Sequence, residues 1–510
     1  MQRRAPPSPV AALAVAALGA FPVAAATLCL PACKPVTPPG TFPAPDAWGP
    51  LDGPGGPVAA FAAADLFQAC AYLTGGPEDQ DHHNFVTMWN GWLVLPWAPE
   101  WSNGGLSLFD VSDPCNPVVH GEGFAPLMRE THEMGFSTLG GDWAAVDALL
   151  GVQFWDLSDP AAPVAVANLD LPGVFYPDAY ARAVESVFWQ GPYLYASGAD
   201  NGVYIIDARD PTAPVLAGQY TFDPPLRVGA FEVVGNLAMA TTMEGSRVVL
   251  VDLSDPLLPE PLPGGTFDVH DAAGDARSYY FATIADHYAV FTRNGSGGGP
   301  VIYDLSDPSA PAFVADYFQP DGDGGYPYLH EQFLFAGDSN FAAVYDLADP
   351  SAPLELGRAL LQGDMDTAVP VGNVLVLSVD DGAAPGQSSA VIPWARDPDV
   401  RGPRVGFAWP RDGATFQALT TRVGIVFDEM VESRSVFAGS LRVAKADGTP
   451  VAGWFNAQEA IVNFTPAAPL ARDTTYVVRV MAGGIVDFNG NPTDETFELR
   501  FSTGAEVEGL

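Results

Sequence analysis

The chain has 510 residues, with 61 Asp and Glu against 22 Lys and Arg, a formal charge of −39, and lysine only at Lys34 and Lys445. No basic face for phosphate or anionic lipid can be assembled from that inventory, which excludes nucleic-acid binding and polybasic membrane docking. Hydrophobic residues still make up 48% of the chain, while 53 Gly and 49 Pro point to folded β structure with many turns, not a disordered acidic tail.

In chain order, the N-terminus comes first. Arg3 and Arg4 precede an almost purely apolar run from Val10 to Ala26, the charge-then-apolar order of a secretory signal. Ala24-Ala25-Ala26 offers one cleavage site. Leu30-Pro31-Ala32-Cys33 offers another, similar to a lipobox with Cys33 as the lipidated residue. Residues 1–32 are therefore expected to direct export. Residues 33–57, rich in Pro and Gly, read as a tether. Pro22 and Pro31 argue against a transmembrane anchor, and no later stretch is apolar and long enough to span a bilayer. Outside this region the cysteines are Cys70 and Cys115. They are expected to pair in an oxidising compartment; two buried thiols are the alternative.

Residues 58–400 are dominated by a repeat. An apolar strand ends in Asp, then a turn and a proline follow: LSLFDVSDPCNP (106–117), VQFWDLSDPAAP (152–163), VYIIDARDPTAP (203–214), VVLVDLSDPLLP (248–259), PVIYDLSDPSAP (300–311) and AAVYDLADPSAP (342–353). A degenerate seventh copy, AVIPWARDPDV (390–400), has Trp394 where the others have Asp, and successive markers lie 42 to 52 residues apart. Proline cannot continue a ladder, and the Asp and Ser side chains suit a turn. The repeated aspartates are thus expected to be structural. Four short strands per unit of about 40–50 residues is the size of a propeller blade.

These segments resemble the LVIVD repeat, which implies a β-propeller of exported bacterial or archaeal surface proteins. From residue 401 to 506 the rhythm changes. Six candidate strands are Val405–Trp409, 422–427, 440–444, 461–465, 475–481 and Phe497–Ser502, in a region whose length suits some seven short strands. Val426-Phe427-Asp428-Glu429, Phe464-Thr465-Pro466 and Asp487-Phe488-Asn489-Gly490-Asn491 resemble a bacterial Ig-like domain, usually a spacer or adhesion module. The expected fold is all-β: a seven-bladed β-propeller followed by an Ig-like β-sandwich.

Chemistry is harder to place. Counting back from the glycine after each first strand puts His83, His132, His330 and Asp364 seven or eight residues before it, with Glu185 at six and Arg227 at eight. His83, His132 and His330, completed by Glu185 or Asp364, form a candidate set for a divalent transition metal at one mouth of the channel. Channel-lining polar residues that merely bind water are the plainer reading. His120, His270 and His287 read as surface or packing residues. Calcium is the other candidate ion, at Asp321-Gly322-Asp323-Gly324-Gly325 or at Asp487 and Asn489. Signature loops such as GxSxG, HExxH and Walker A are absent from the sequence. The leading expectation is an exported cell-surface binding or structural protein with a protein or glycan partner. The alternative is a metal-dependent propeller enzyme, an oxidase or hydrolase; some metal-containing propeller oxidases and calcium-propeller lactonases resemble the chain in overall plan.

Overall fold

The computed structural model describes residues 51–509 except 75–84, 98–102, 130, 140, 176–177 and 381. The expected export segment 1–32, Cys33, His83 and most of the expected tether lie outside the described residues.

Seven four-stranded antiparallel sheets follow one another along the chain. Six are meanders, over residues 87–125, 134–170, 186–220, 228–268, 279–316 and 327–359. Each first strand packs on that of the next sheet through much of the series, which makes these sheets the blades of a β-propeller. The last blade supplies only three strands, Thr367–Val371, Val374–Ser378 and Ser389–Pro393. Its fourth is the early strand Ala71–Leu73, with Ala71 opposite Val391 and Leu73 opposite Ser389. The degenerate seventh repeat therefore needs no following strand of its own, and the chain is free to leave for the next domain. Cys70, beside this closing strand, is disulfide-bonded to Cys115 in the first blade, with Cα atoms 5.0 Å apart. The bond spans the seam where the two ends of the propeller meet.

The repeated motif occupies the third strand of each blade and the turn after it. In six copies the marker Asp accepts a hydrogen bond from the backbone N–H two residues on, at 2.6–3.2 Å, as in Ser112 to Asp110 and Ser306 to Asp304. The second Asp repeats the device, for example Ala161 N–H to Asp159 and Leu257 N–H to Asp255. Both aspartates hold turns. Trp394 does something else: it is buried, donates through Nε1 to Gly372 O at 2.8 Å and packs its ring against Phe333 and Phe335.

In six blades a two-residue turn joins the first and second strands, at Asn90-Gly91, Gly191-Pro192, Gly235-Asn236, Asp286-His287, Glu331-Gln332 and Gly372-Asn373. Each has a residue at positive φ, from 52° at Asn90 to 77° at Gly91, as the twist of a tight hairpin requires. All six turns touch the C-terminal region, and they share one face of the propeller.

That region is a sandwich of a four-stranded sheet, in the order Val405–Trp409, Val423–Phe427, Ile461–Pro466, Gly453–Gln458, and a three-stranded one, in the order Leu441–Lys445, Thr475–Val480, Phe497–Ser502. Its core holds Ile425, Phe427, Val462, Phe464, Tyr476 and Phe501. Gly453–Gln458 is absent from the strands expected from sequence. Residues 51–57 also differ from a loose tether: Gly53 N–H bonds to Asn90 O, Gly56 N–H to Phe488 O, and Asn489 Nδ2 to Pro57 O. They run along the seam between the two domains.

Candidate functional site

The sandwich sits on the propeller as a cap, and a hairpin enters the channel. Strands Gly453–Gln458 and Ile461–Pro466 pair in register, Asn456 opposite Asn463 and Gln458 opposite Ile461, and Glu459 takes the positive φ of 52° at the tip. Asn456, Gln458 and Asn463 are buried, and their bonds go to the blades. Asn456 donates to Phe136 O and accepts from Gly191 N–H; Asn463 donates to Val233 O and accepts from Gly235 N–H. Gln458 donates to Val187 O and to the Glu133 carboxylate at 2.6 Å. Side-chain amides suit this place because each offers both donor and acceptor to exposed blade backbone.

Around the hairpin the cap uses single polar anchors. Glu432 accepts from Asn90 N–H and Gly91 N–H at 2.9 and 3.3 Å. Arg422, only 3% exposed, reaches between two blades to Asn236 Oδ1, Gln190 Oε1, Tyr195 hydroxyl and Leu253 O. At the tip, three carboxyls from two domains meet in a buried space: Glu133, Glu232 and Glu459. Glu232 accepts from Ile284 N–H, and Glu459 accepts from the Thr283 hydroxyl at 2.9 Å. Burial pushes the Glu459 carboxyl up to about 7. Burial first, and then the charges of its neighbours, hold Glu133 and Glu232 well above the usual carboxylate range.

The expected metal set is split by the structure. His132 and Glu185 do converge, with His132 Nδ1 3.9 Å from Glu185 Oε2. Closer still is Asp147, 3.2 Å from the same nitrogen, which also accepts from the backbone N–H of His132 and Glu133. Phe281 and Tyr326 flank the ring, stacked on each other at 3.7 Å. Asp147, at the end of the apolar strand Trp143–Asp147, carried no motif; its one signal is a charge closing an otherwise buried run.

His330 is elsewhere. It ends the strand Pro327–His330, next to the turn under the cap, whereas His132 precedes its strand Met134–Ser137. The correction comes from Gly337, which closes the second strand of its blade and not the first turn. The true turn is Glu331-Gln332, without glycine, so the count placed His330 at the wrong end. Its neighbours are Glu429 of the sandwich, with Oε2 3.1 Å from Nδ1, and Asp399 of the linker, with Oδ2 3.6 Å from Nε2. Burial opposes charge on the imidazole, yet Glu429 and then Asp399 outweigh it and raise its pKa; burial likewise raises Glu429. Asp364 joins neither group: its backbone carbonyl accepts from Asp380 N–H in the last blade. Arg227 pairs with Asp200 at 2.9 Å.

The calcium candidates are occupied by protein donors. Asp321 pairs with Arg358 at 2.8 Å, and Asp323 accepts from Gly295 and Gly324 N–H. Asp487 accepts from Asn489 and Asn491 N–H, which holds its own loop. The remaining described histidines pack: His120 stacks on Trp92 at 3.7 Å, His270 on Phe313 at 4.9 Å, and His287 pairs with Asp286 at 2.7 Å.

The model of the bacterial Ig-like domain matches residues 399–503, and that of the LVIVD repeat matches 181–222 and 296–318. No curated protein matches the chain. Among solved structures, the periplasmic gluconolactonase PpgL of Pseudomonas aeruginosa is 12% identical, covering 63% of this chain and 88% of its own, with a TM-score of 0.44. PorZ, a surface component of the type-IX secretion system of Porphyromonas gingivalis, is 13% identical, covering 84% of this chain and 60% of its own, with a TM-score of 0.45. The WD40 β-propeller domain of Doa1 is 10% identical, covering 64% of this chain and 95% of its own, with a TM-score of 0.45. These likenesses are too distant to carry activity. Repeats, sheets and the C-terminal match together make the chain a β-propeller protein with LVIVD repeats and a C-terminal bacterial Ig-like domain.

Proposed function

We propose that the mature chain is an exported binding or structural protein of the bacterial cell surface, in which propeller and sandwich act as one rigid body. The observation that carries this reading is the capped axis. The Gln458-Glu459-Ala460 tip closes one channel mouth to a small substrate, with Gln458 and Ala460 buried and Glu459 half-buried. The uncapped face and the outer blade strands are left to meet a protein or glycan. The signal-like N-terminus, the disulfide between Cys70 and Cys115 and the acidic surface all suit an extracellular setting. No helix of the described residues is long and apolar enough to cross a membrane. Attachment would come from lipid on Cys33, or the protein is simply secreted. Protease shaving of intact producing cells should remove the protein from the surface fraction, and the mass of its mature N-terminus should tell lipid from free amine. Retention of the whole chain in the cytoplasm would sink the reading.

A second reading, a metal-dependent oxidase or hydrolase, has one observation behind it: the Asp147 and Glu185 carboxylates lie 3.2 and 3.9 Å from His132 Nδ1, beside Tyr326. Turnover of lactones or thiols by the purified chain, lost in His132→Ala, would favour it over the binding role.

A further inference from the structure

We propose that His330, Asp399 and Glu429 bind one divalent transition-metal ion of the zinc class, which staples propeller, linker and sandwich together. The three residues come from three separate parts of the chain, and one ligand atom from each lies within 4.8 Å of the others. Their side chains are only 8%, 8% and 1% exposed. Around a tetrahedral zinc with bonds of about 2.0–2.2 Å, ligand atoms stand about 3.2–3.6 Å apart. Glu429 stands 3.1 Å from Nδ1 and Asp399 3.6 Å from Nε2, so an ion on either ring nitrogen keeps one carboxylate at about its present distance and draws the other in from within 4.8 Å.

The hydrogen bonding points to a ligand. Both carboxylate oxygens of Glu429 and Oδ2 of Asp399 are buried without a well-aligned hydrogen-bond donor; Glu429 has only the His330 ring beside it, and Asp399 meets the carboxyl of Asp487. His330 is ion-paired with Glu429 at 3.1 Å and stands 3.6 Å from Asp399, so one imidazole faces two carboxylates. The other oxygen of Asp399 is spent on Arg401 N–H at 3.0 Å. Carboxylates at such depth that share one imidazole are costly. Asp487, 1% exposed, adds a third carboxyl beside Asp399 and Glu429. The nearby Arg401 is engaged by Glu331. An ion would answer the excess of negative charge and the missing partners together.

The imidazole decides the class of ion, because calcium and magnesium take oxygen donors while zinc and its neighbours accept nitrogen. Access is provided by a cleft of about 230 Å³ lined by His330, Asn373, Trp394, Asp399 and Arg401. It could bring the ion in and leave a water in the fourth position. Within that lining Trp394 sets its ring edge-on to His330 at 6.1 Å. The proposal is independent of the binding role argued above and of the His132 cluster.

The test uses the whole mature chain. After dialysis against zinc, elemental analysis should find one equivalent. EDTA should lower Tm by roughly 3–5 °C, and Zn²⁺ alone should restore it. Cobalt substitution should give visible absorption bands that Glu429→Gln and Asp399→Asn abolish and His132→Ala retains. Wild-type protein that takes up no stoichiometric zinc or cobalt would overturn the proposal, even if a variant fails to fold. Calcium restoring Tm where zinc does not, or metal lost in His132→Ala and kept in Glu429→Gln, would overturn it too.

Discussion

The blade turns and the domain seam are both built of buried or half-buried polar groups, and they solve the same problem in opposite ways. At the turns, an aspartate satisfies the N–H two residues further on, and the solution is repeated from blade to blade. At the seam each partner lies far away in sequence: Glu432 serves Asn90 and Gly91, Asn456 serves Phe136, and Arg422 serves four groups from two blades. A local bond is remade as soon as its own loop forms. A seam bond exists only after both domains have folded and docked, so its loss leaves several desolvated groups without water or partner.

That contrast can be broken or sharpened by substitution. The largest loss is expected at Arg422. Arg422→Ala strands Asn236, Gln190, Tyr195 and Leu253 O in a buried space, for a cost of about 3–5 kcal/mol. Calorimetry should then resolve separate transitions for propeller and sandwich; a single unshifted transition would mean that the seam is not cooperative. Cys70→Ser releases the closing strand from the first blade and should cost roughly 2–4 kcal/mol in denaturant titrations.

Glu459 has the opposite sign. Its folded pKa, about 7, is raised by burial above the unfolded value, so its contribution to stability is full below that unfolded value and is lost as pH rises through 7. Wild-type Tm should therefore fall between about pH 4.5 and 8 through this group. Glu459→Gln should flatten that part of the profile and stabilise the protein at pH 8 by something on the order of 2–3 kcal/mol. An unchanged slope would show that Glu133 and Glu232 carry the titration instead. The smallest effect belongs to the turns: Asp156→Ala should cost about 1 kcal/mol and leave the seam untouched. A loss as large as that of Arg422→Ala would erase the distinction between the two regions.

The same contrast explains what could be read in advance. The third strand of each blade and its turn follow from residue patterns a few positions long, whereas the sequence leaves Cys70 and Cys115 either paired or as two thiols and the structure pairs them. Strand Gly453–Gln458 was invisible because Asn456 and Gln458 look like a solvent face. Alternation reports which side is polar but not whether water or another domain lies against it. His330 stands out in the sequence as a ligand candidate, but its turn, Glu331-Gln332, has no glycine, so a count from Gly337 sets it beside His132 and away from its actual neighbours. Asp399 lies in a linker and Glu429 in the other domain, so no spacing rule connects them to His330 or to each other.

Sequence alone determined the all-β architecture, the blade repeat, the identity of the C-terminal domain and the turn-forming role of the marker aspartates, because those rest on local periodicity and on proline and carboxylate chemistry within one loop. Tertiary structure decided how the last blade closes, that the sandwich caps the channel, and which acids and histidines meet. Those depend on contacts between residues hundreds of positions apart, whose burial is set by docking two folded surfaces and leaves no period in the chain.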